Sequence, residues 1–447
     1  MPARQLLEIE TGAVVALTHA GDGIVREGKA VFVPGALPGE LIRFRRRAQH
    51  RQYDDGLLVE VLEKSSARVT PACAYFGVCG GCALQHLAPA AQLAAKELEL
   101  RDNLERVARV APRAWLAPLA GPHWGYRRRA RLSVKYVAKK GRVLVGFRER
   151  AKPYVSAMAS CEVLAPRAAA LIEPLSAVLT QLSIRELVPQ IEVSVADNAL
   201  ALVLRVLGAP GSADLAALRA FETAQGVRLY LQEGGLDSVR RLTHVPLEEP
   251  LRYALPAFAL ELEFAPTDFI QVNREVNAAL VTRAVELLEL DEHSRVLDLY
   301  CGIGNFTLAL ARRARNVVGV EADERLVARA RHNAERHALG NARFHCLDLG
   351  EPAAGEENCM REAYSQVLID PPRAGARAML PTVARLAPRR LLYISCHPGS
   401  LARDVGMLVH EFGFILHAAG VLDMFPHTMH VESLALLESP AARGRPA

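Results

Sequence analysis

The chain has no run near the roughly 20 apolar residues that a bilayer-spanning helix needs, so no membrane segment is expected. The stretch from Met1 to Glu8 has no apolar core of signal-peptide type, which makes the cytoplasm the expected location. There is no internal repeat. The C-x3-C-x2-C spacing that supports reductive radical chemistry is absent. Acidic residues are nearly missing from one long strip. Between Tyr126 and Tyr154 stand eleven Lys/Arg and a single acid, Glu149. A second basic group is Arg43, Arg45, Arg46, Arg47 and Arg51. Either strip alone suits an ordinary solvated face; together they favour a phosphate backbone.

What is present begins with length. At 447 residues, 51% of them apolar, the chain can bury two or three cores at roughly 150 residues each. Residues 6–64 read as short strands between Gly and Pro-Gly turns, the pattern of a small OB-like barrel. A cysteine-rich loop at 73–82 follows, then a helix over about Pro89 to Arg109 with Leu93, Leu100, Leu104 and Val107 at helical spacing. Residues 125–255 mix strands with Ala/Leu-rich helices, as in an α+β domain. From about 265, strands and helices alternate: helix 274–290, strand 295–300, helix 305–314, strand 316–321, helix 323–339, strand 342–346, strand 366–370, helix 376–387 and strand 390–395. This is a doubly wound α/β pattern of Rossmann-like type, in which ligands sit at the carboxyl ends of the strands. The tail beyond Glu438 is expected to be disordered.

Three motifs in the last part carry chemistry. Asp298-x3-Gly302-x-Gly304 leaves a strand for a helix, and Phe306-Thr307 fill the place of a third glycine. That departure disfavours a dinucleotide. Glu321 ends the next strand, where a carboxylate can accept both ribose hydroxyls. A ribose without a pyrophosphate points to S-adenosylmethionine. Asp348, read as ending the third strand, could face the adenine edge. Asp370-Pro-Pro-Arg373 closes a buried strand, in a place where amino-group methyltransferases carry an aromatic residue instead of Arg373. Cys396 ends the following strand. An exocyclic amine needs no thiol, whereas uracil C5 becomes nucleophilic only after a thiolate adds at C6. A base must then take the C5 proton. Glu432 is a candidate, with His427 and His430 equally placed by spacing. Cys301, Cys346 and Cys359 lack such context and read as structural.

Cys73, Cys79 and Cys82 form one tight loop with Gly80 and Gly81, and Cys161 is the remaining cysteine ahead of the α/β part. Four thiolates suit a 4Fe-4S cluster, with zinc as the alternative. Rival readings of the whole are an N-methyltransferase indifferent to Cys396 and a non-catalytic RNA-binding protein.

With these residues in view, the chain resembles the bacterial (uracil-5)-methyltransferases of large-subunit ribosomal RNA along nearly its whole length. The resemblance implies a TRAM-like RNA-binding barrel at 1–65, a central α+β domain with an iron–sulfur cluster at 68–265, and a methyltransferase domain at 266–447. The segment about 90–120 is expected to pack on that last domain. It also implies Cys396 as nucleophile and Glu432 as base. The cofactor pocket would be Gln271, Tyr300, Asn305, Glu321, Asp348 and Asp370, and the cluster ligands Cys73, Cys79, Cys82 and Cys161. Having both barrel and cluster suits the ribosomal subtype acting on 23S rRNA as a monomer with no obligate protein partner; another 23S uridine or tRNA is the alternative target. His397 and Met429 depart from the family pattern, which usually has Asn and a smaller residue there.

Overall fold

The computed structural model describes residues 8–440. The first seven residues and most of the tail expected to be disordered lie outside them. Five strands close a barrel: β1 (Ile9–Leu17), β2 (Gly23–Val25), β3 (Ala30–Val33), β4 (Leu41–Gln49) and β5 (Tyr53–Glu63). Val14, Val25, Val31, Val33, Ile42 and Phe44 fill it, the inward half of each alternating strand. Helix α1 (Pro89–Asn103) opens on a proline at its first position and runs into a π turn at Leu104–Ala108. It buries Gln92, Lys96, Leu100 and, in the π turn, Leu104, whereas Val107 is 54% exposed. The wider π turn carries Val107 off the buried stripe that its sequence spacing suggested. The short β6 (Ala114–Trp115) follows.

The central part is a six-stranded sheet of β7 (Arg129–Val137), β8 (Arg142–Gly146), β9 (Gln190–Val195), β10 (Leu200–Arg205), β11 (Arg228–Gln232) and β12 (Arg240–Arg241), in the order 12-11-10-9-7-8. Helices α2 (Pro166–Ala169), α3 (Ile172–Gln181) and α4 (Ser212–Gln225) accompany it. A hairpin, β13 (Leu251–Leu255) and β14 (Leu260–Phe264), leads into the last part.

That part contains α5 (Arg274–Leu288), β15 (Arg295–Leu299), α6 (Thr307–Ala311), β16 (Asn316–Glu321), α7 (Glu324–Arg336), β17 (Ala342–Cys346), β18 (Gln366–Ile369), α8 (Leu380–Leu386), β19 (Arg390–Ser395), α9 (Pro398–His410), β20 (Ile415–Leu422) and β21 (Glu432–Glu438). Its sheet has the order 17-16-15-18-19-21-20-6. The first five strands are parallel, and β21 inserts antiparallel between β19 and β20. This is the doubly wound α/β architecture with an antiparallel end. The far edge is covered by a remote segment. β6 pairs with β20, and Leu116 and Leu119 donate to the carbonyls of Ala419 and Val421 at 2.9 and 3.0 Å. The helix after the glycine loop is shorter than the periodicity suggested, spanning only Thr307–Ala311, and β17 has the expected bounds, which leaves Asp348 two residues beyond the strand it was expected to end. Among the described residues no helix is long and apolar enough to cross a membrane.

Candidate active site

The site is built at one rim of the large sheet. β15, β18 and β19 run in step, with Leu299 beside Ile369 and Ile369 beside Tyr393, so their next residues emerge together. Asp370 follows β18 and Cys396 follows β19. β21 enters from the other direction, pairing Ser433 with Ser395. One further step in that register sets Glu432 opposite Cys396, and Glu432 also pairs with Leu422 of β20. A thiol and two carboxyls therefore meet in an apolar setting. Burial, then Asp370, pushes the Glu432 carboxyl up to about 8, against the pull of Arg373 and Lys96. Burial alone raises Asp370 to about 7. Burial, Glu432 and Asp370 push the Cys396 thiol up to about 11, with Arg373 opposing. Such a rim is slow to ionise, and an arriving cation favours its charged forms.

The neighbouring glycine loop is unusual in its backbone. Tyr300, Gly302 and Gly304 all have positive φ, at 65°, 54° and 91°. A side chain at Gly304 would press on Leu308 at 3.2 Å. The loop is anchored by the fully buried Asp298, whose Oδ2 accepts from the Thr307 hydroxyl at 2.5 Å. This gives Thr307, in the place of a third glycine, a structural task. Gly302 N–H donates to Glu321 Oε2 at 3.1 Å, while Ala322 and Asp323 donate to Oε1. Three amides thus fix that carboxylate at the end of β16, and Oε2 keeps acceptor capacity. Asn305 is also fixed. Its Oδ1 accepts from Tyr253 and Asn277 at 2.9 and 3.0 Å, and its Nδ2 donates to Asn277, leaving one N–H free. The Gln271 carbonyl accepts from Arg128 Nε at 2.9 Å. Asp348 is exposed and caps its own turn through Gly350 N–H.

Residues 423–431 cross between β20 and β21 and are held from the N-terminal half. Lys96 pairs with Asp423 at 2.6 Å and donates to the Phe425 carbonyl at 2.9 Å. Gln92 accepts the His427 N–H at 2.8 Å and reaches its Nδ1 at 3.2 Å. The His427 carbonyl takes the N–H groups of Ala83 and Leu84. Its ring stacks on Trp124 with centroids 3.9 Å apart. Burial holds His427 neutral, at about 4. Its backbone and Nδ1 fix the loop, while Nε2 is buried without a partner. His430 is exposed, 3.2 Å from Arg373. Met429 packs with Leu37 of the barrel and with Leu84 and Leu87, so the larger side chain at this position joins three parts of the chain.

Cys73, Cys79, Cys82 and Cys161 line one cavity of about 20 Å³, with Tyr75, Phe76, Phe147 and Met158 around them. Among the described residues no three His, Cys, Asp or Glu side chains are grouped to hold a metal ion. Burial raises Cys79 and Cys161 and pushes Cys82 up to about 12, so these sulfurs stay thiols unless a cation joins them. The loop is stitched to the end of β8: Gly80 N–H donates to Arg148 O at 2.8 Å, and a Cβ there would sit 3.1 Å from that oxygen.

Residues 259–440 match the family model described as tRNA (Uracil-5-)-methyltransferase. A 23S rRNA (uracil(1939)-C(5))-methyltransferase of Stenotrophomonas maltophilia is 47% identical over 429 residues, covering 95% of this chain and 96% of that protein. The enzyme of the same name from Ralstonia nicotianae is 46% identical over 456 residues, covering 98% and 100%. The chain belongs to this 23S rRNA (uracil-C5)-methyltransferase family. Its fold also matches the Pyrococcus abyssi tRNA (uracil-54, C5)-methyltransferase, solved in complex with S-adenosyl-L-homocysteine. That TM-score is 0.74 at 23% identity, covering 96% of this chain and all of that one.

For a member of this family, reading the sequence missed Lys96, Gln92 and Asp423. One signal was available: Gln92, Lys96 and Leu100 recur every four residues, so two polar groups share a stripe with a fully buried leucine. The basic strip also divides. Arg128 and Arg129 are structural: Arg128 lies over the Tyr253 ring at 4.7 Å, and Arg129 pairs with Glu192 at 3.2 Å. Arg131, Lys135, Lys139, Lys140, Arg148 and Lys152 face solvent.

Proposed function

We propose that this protein transfers a methyl group from S-adenosylmethionine to C5 of a uridine in 23S rRNA, with Cys396 as nucleophile and Glu432 as base. The observation that carries it is the cross-strand placement of Cys396 against Glu432 beside Asp370. S-adenosylmethionine supplies an electrophilic methyl group on a sulfonium. Its cation favours ionisation of the raised acids at this rim, and its ribose suits the amide-held Glu321, with Gln271, Tyr300, Asn305, Asp348 and Asp370 completing the pocket. The uridine enters flipped out of its helix. Cys396 Sγ adds at C6, and the electron pair moves through C5 onto O4 as an enolate. C5 then takes the methyl group. Glu432 removes the C5 proton, the C5–C6 double bond reforms and the thiolate leaves.

In the same reading, Cys73, Cys79, Cys82 and Cys161 hold a 4Fe-4S cluster. Four cysteines lining one cavity supply the thiolates such a cluster takes, and a single tetrahedral zinc is the alternative occupant. The cluster would tie loop 73–82 to the segment at Cys161, and no step of the transfer passes through it. The barrel, residues 1–65, the central domain, 68–265, and the exposed arginines and lysines bind RNA phosphates, while 266–447 does the chemistry. We place the enzyme in the cytoplasm as a monomer.

The test is unmodified 23S rRNA carrying tritium at uracil C5. One tritium released to water per methyl group transferred is expected. Methyl incorporation without release would move the target to an amine, a ribose or another carbon. Activity on tRNA alone would change the substrate.

A further inference from the structure

The base of this reaction sits on a strand whose approach is fixed from the other end of the chain. Lys96 and Asp423 are 0% and 2% exposed, a buried ion pair between α1 and the residue that follows β20. Leu422, one residue earlier, is the sheet partner of Glu432. Two of the three ammonium N–H groups have acceptors, Asp423 Oδ1 and the Phe425 carbonyl. A buried pair of this kind adds little net stability over an apolar one of similar size. Its distinctive contribution is a fixed positive charge in a dry place.

We propose that Lys96 is a positioning residue for Glu432: it fixes residues 423–425, through which the chain approaches that carboxylate, and, held charged by Asp423, sets a cation near it. This rests on the functional reading above. The groups facing Glu432 form two sets. Asp370 after β18 and the Cys396 thiol after β19 favour its protonated form, whereas Arg373 and Lys96 favour the ionised one. His430, in its own loop and exposed at its edge, is held towards neutrality by partial desolvation of its ring and by Arg373 and Lys96. Arg373 is exposed and screened by water, so the buried Lys96 is the more constant of the two cations. Without it Glu432 keeps its proton, and the methylated adduct waits.

The experiment follows single-turnover tritium release against pH for the full-length holoenzyme and its variants. K96M/D423N removes both charges without stranding either. Its acid limb should move up by about one pH unit, so that release at low pH slows about tenfold and converges with wild type at high pH. D423N alone removes the carboxylate that keeps the buried ammonium charged and should move the limb up, in the same direction as the double variant. K96R should restore the wild-type limb. A purely structural role slows every variant equally at all pH, and that result overturns the proposal. If the double variant loses its cooperative melt, D423N decides, and an unshifted limb refutes. No tritium release from the wild type would sink the functional reading instead.

Discussion

In the free enzyme the proposed nucleophile, Cys396, should be nearly silent. Burial, Glu432 and Asp370 raise the Cys396 thiol from an ordinary value near 9 to about 11. Two units amount to about a hundredfold less thiolate at any lower pH, or about 2.7 kcal/mol against ionisation. At pH 7.5 about one molecule in 3000 carries the thiolate. Alkylation of the Cys396 peptide by iodoacetamide, followed by mass spectrometry from pH 6 to 10, should therefore rise tenfold per pH unit without a plateau. The sharper test compares two ligands of the same shape. S-adenosylmethionine brings a sulfonium cation to the rim and should accelerate alkylation relative to S-adenosylhomocysteine, a neutral thioether that blocks access equally. A plateau below pH 9 in the free enzyme, or equal rates with the two ligands, would refute the claim that burial and the two carboxyls govern this thiol.

Glu432→Gln should trap the covalent RNA–protein adduct, seen as a band that survives denaturing electrophoresis, while Cys396→Ala should form none and still bind cofactor. Because the Glu432 carboxyl is raised, the wild type loses stability as pH climbs from about 4.5 towards 8. E432Q should therefore gain on it by up to about 1.4 kcal/mol per pH unit, read from paired denaturant melts at pH 5 and 7.5. Gln92→Ala strands the buried amide of His427 and should cost about 1–3 kcal/mol in a urea melt. Iron and acid-labile sulfide should be found in the purified protein at four each per chain, and Cys82→Ser should lower both; zinc in their place would overturn the cluster.

Much of the site was legible because its residues sit where strands end. Cys396 follows an apolar run, Asp370 a buried one, and Glu321 and Glu432 mark strand limits that the alternation of apolar and turn residues displays. The parallel strands were visible for the same reason: fully buried strands read as Val/Ile/Leu runs. What stayed hidden depends on partners far away in the chain. Lys96 looks like a solvated helix residue until Asp423, 327 positions later, is brought against it. That Glu432, and not His427 or His430, stands opposite Cys396 becomes visible only in the β19–β21 register. Arg128 and Arg129 could not be told from Arg131 by composition, since burial and not sequence separates them. Asp348 was expected to end the third strand, yet pairing with β16 stops at Cys346.

The covering of β20 by residues 114–119 has a consequence for the catalytic half as a free body. Cut away near residue 266, it would keep every residue of the thiol rim. It would also bare one long side of β20, a strand whose last five residues, Ala418 to Leu422, are all apolar or glycine and buried. Unpaired amides along such a strand recruit the nearest similar strand, and in a concentrated solution that is another copy. The isolated half would therefore precipitate edge to edge before it could be assayed. The parts of this chain look separable when read as text, but β6 from ahead of the central sheet completes the edge of the catalytic one, and a fusion or truncation that respects only the apparent boundaries would break it.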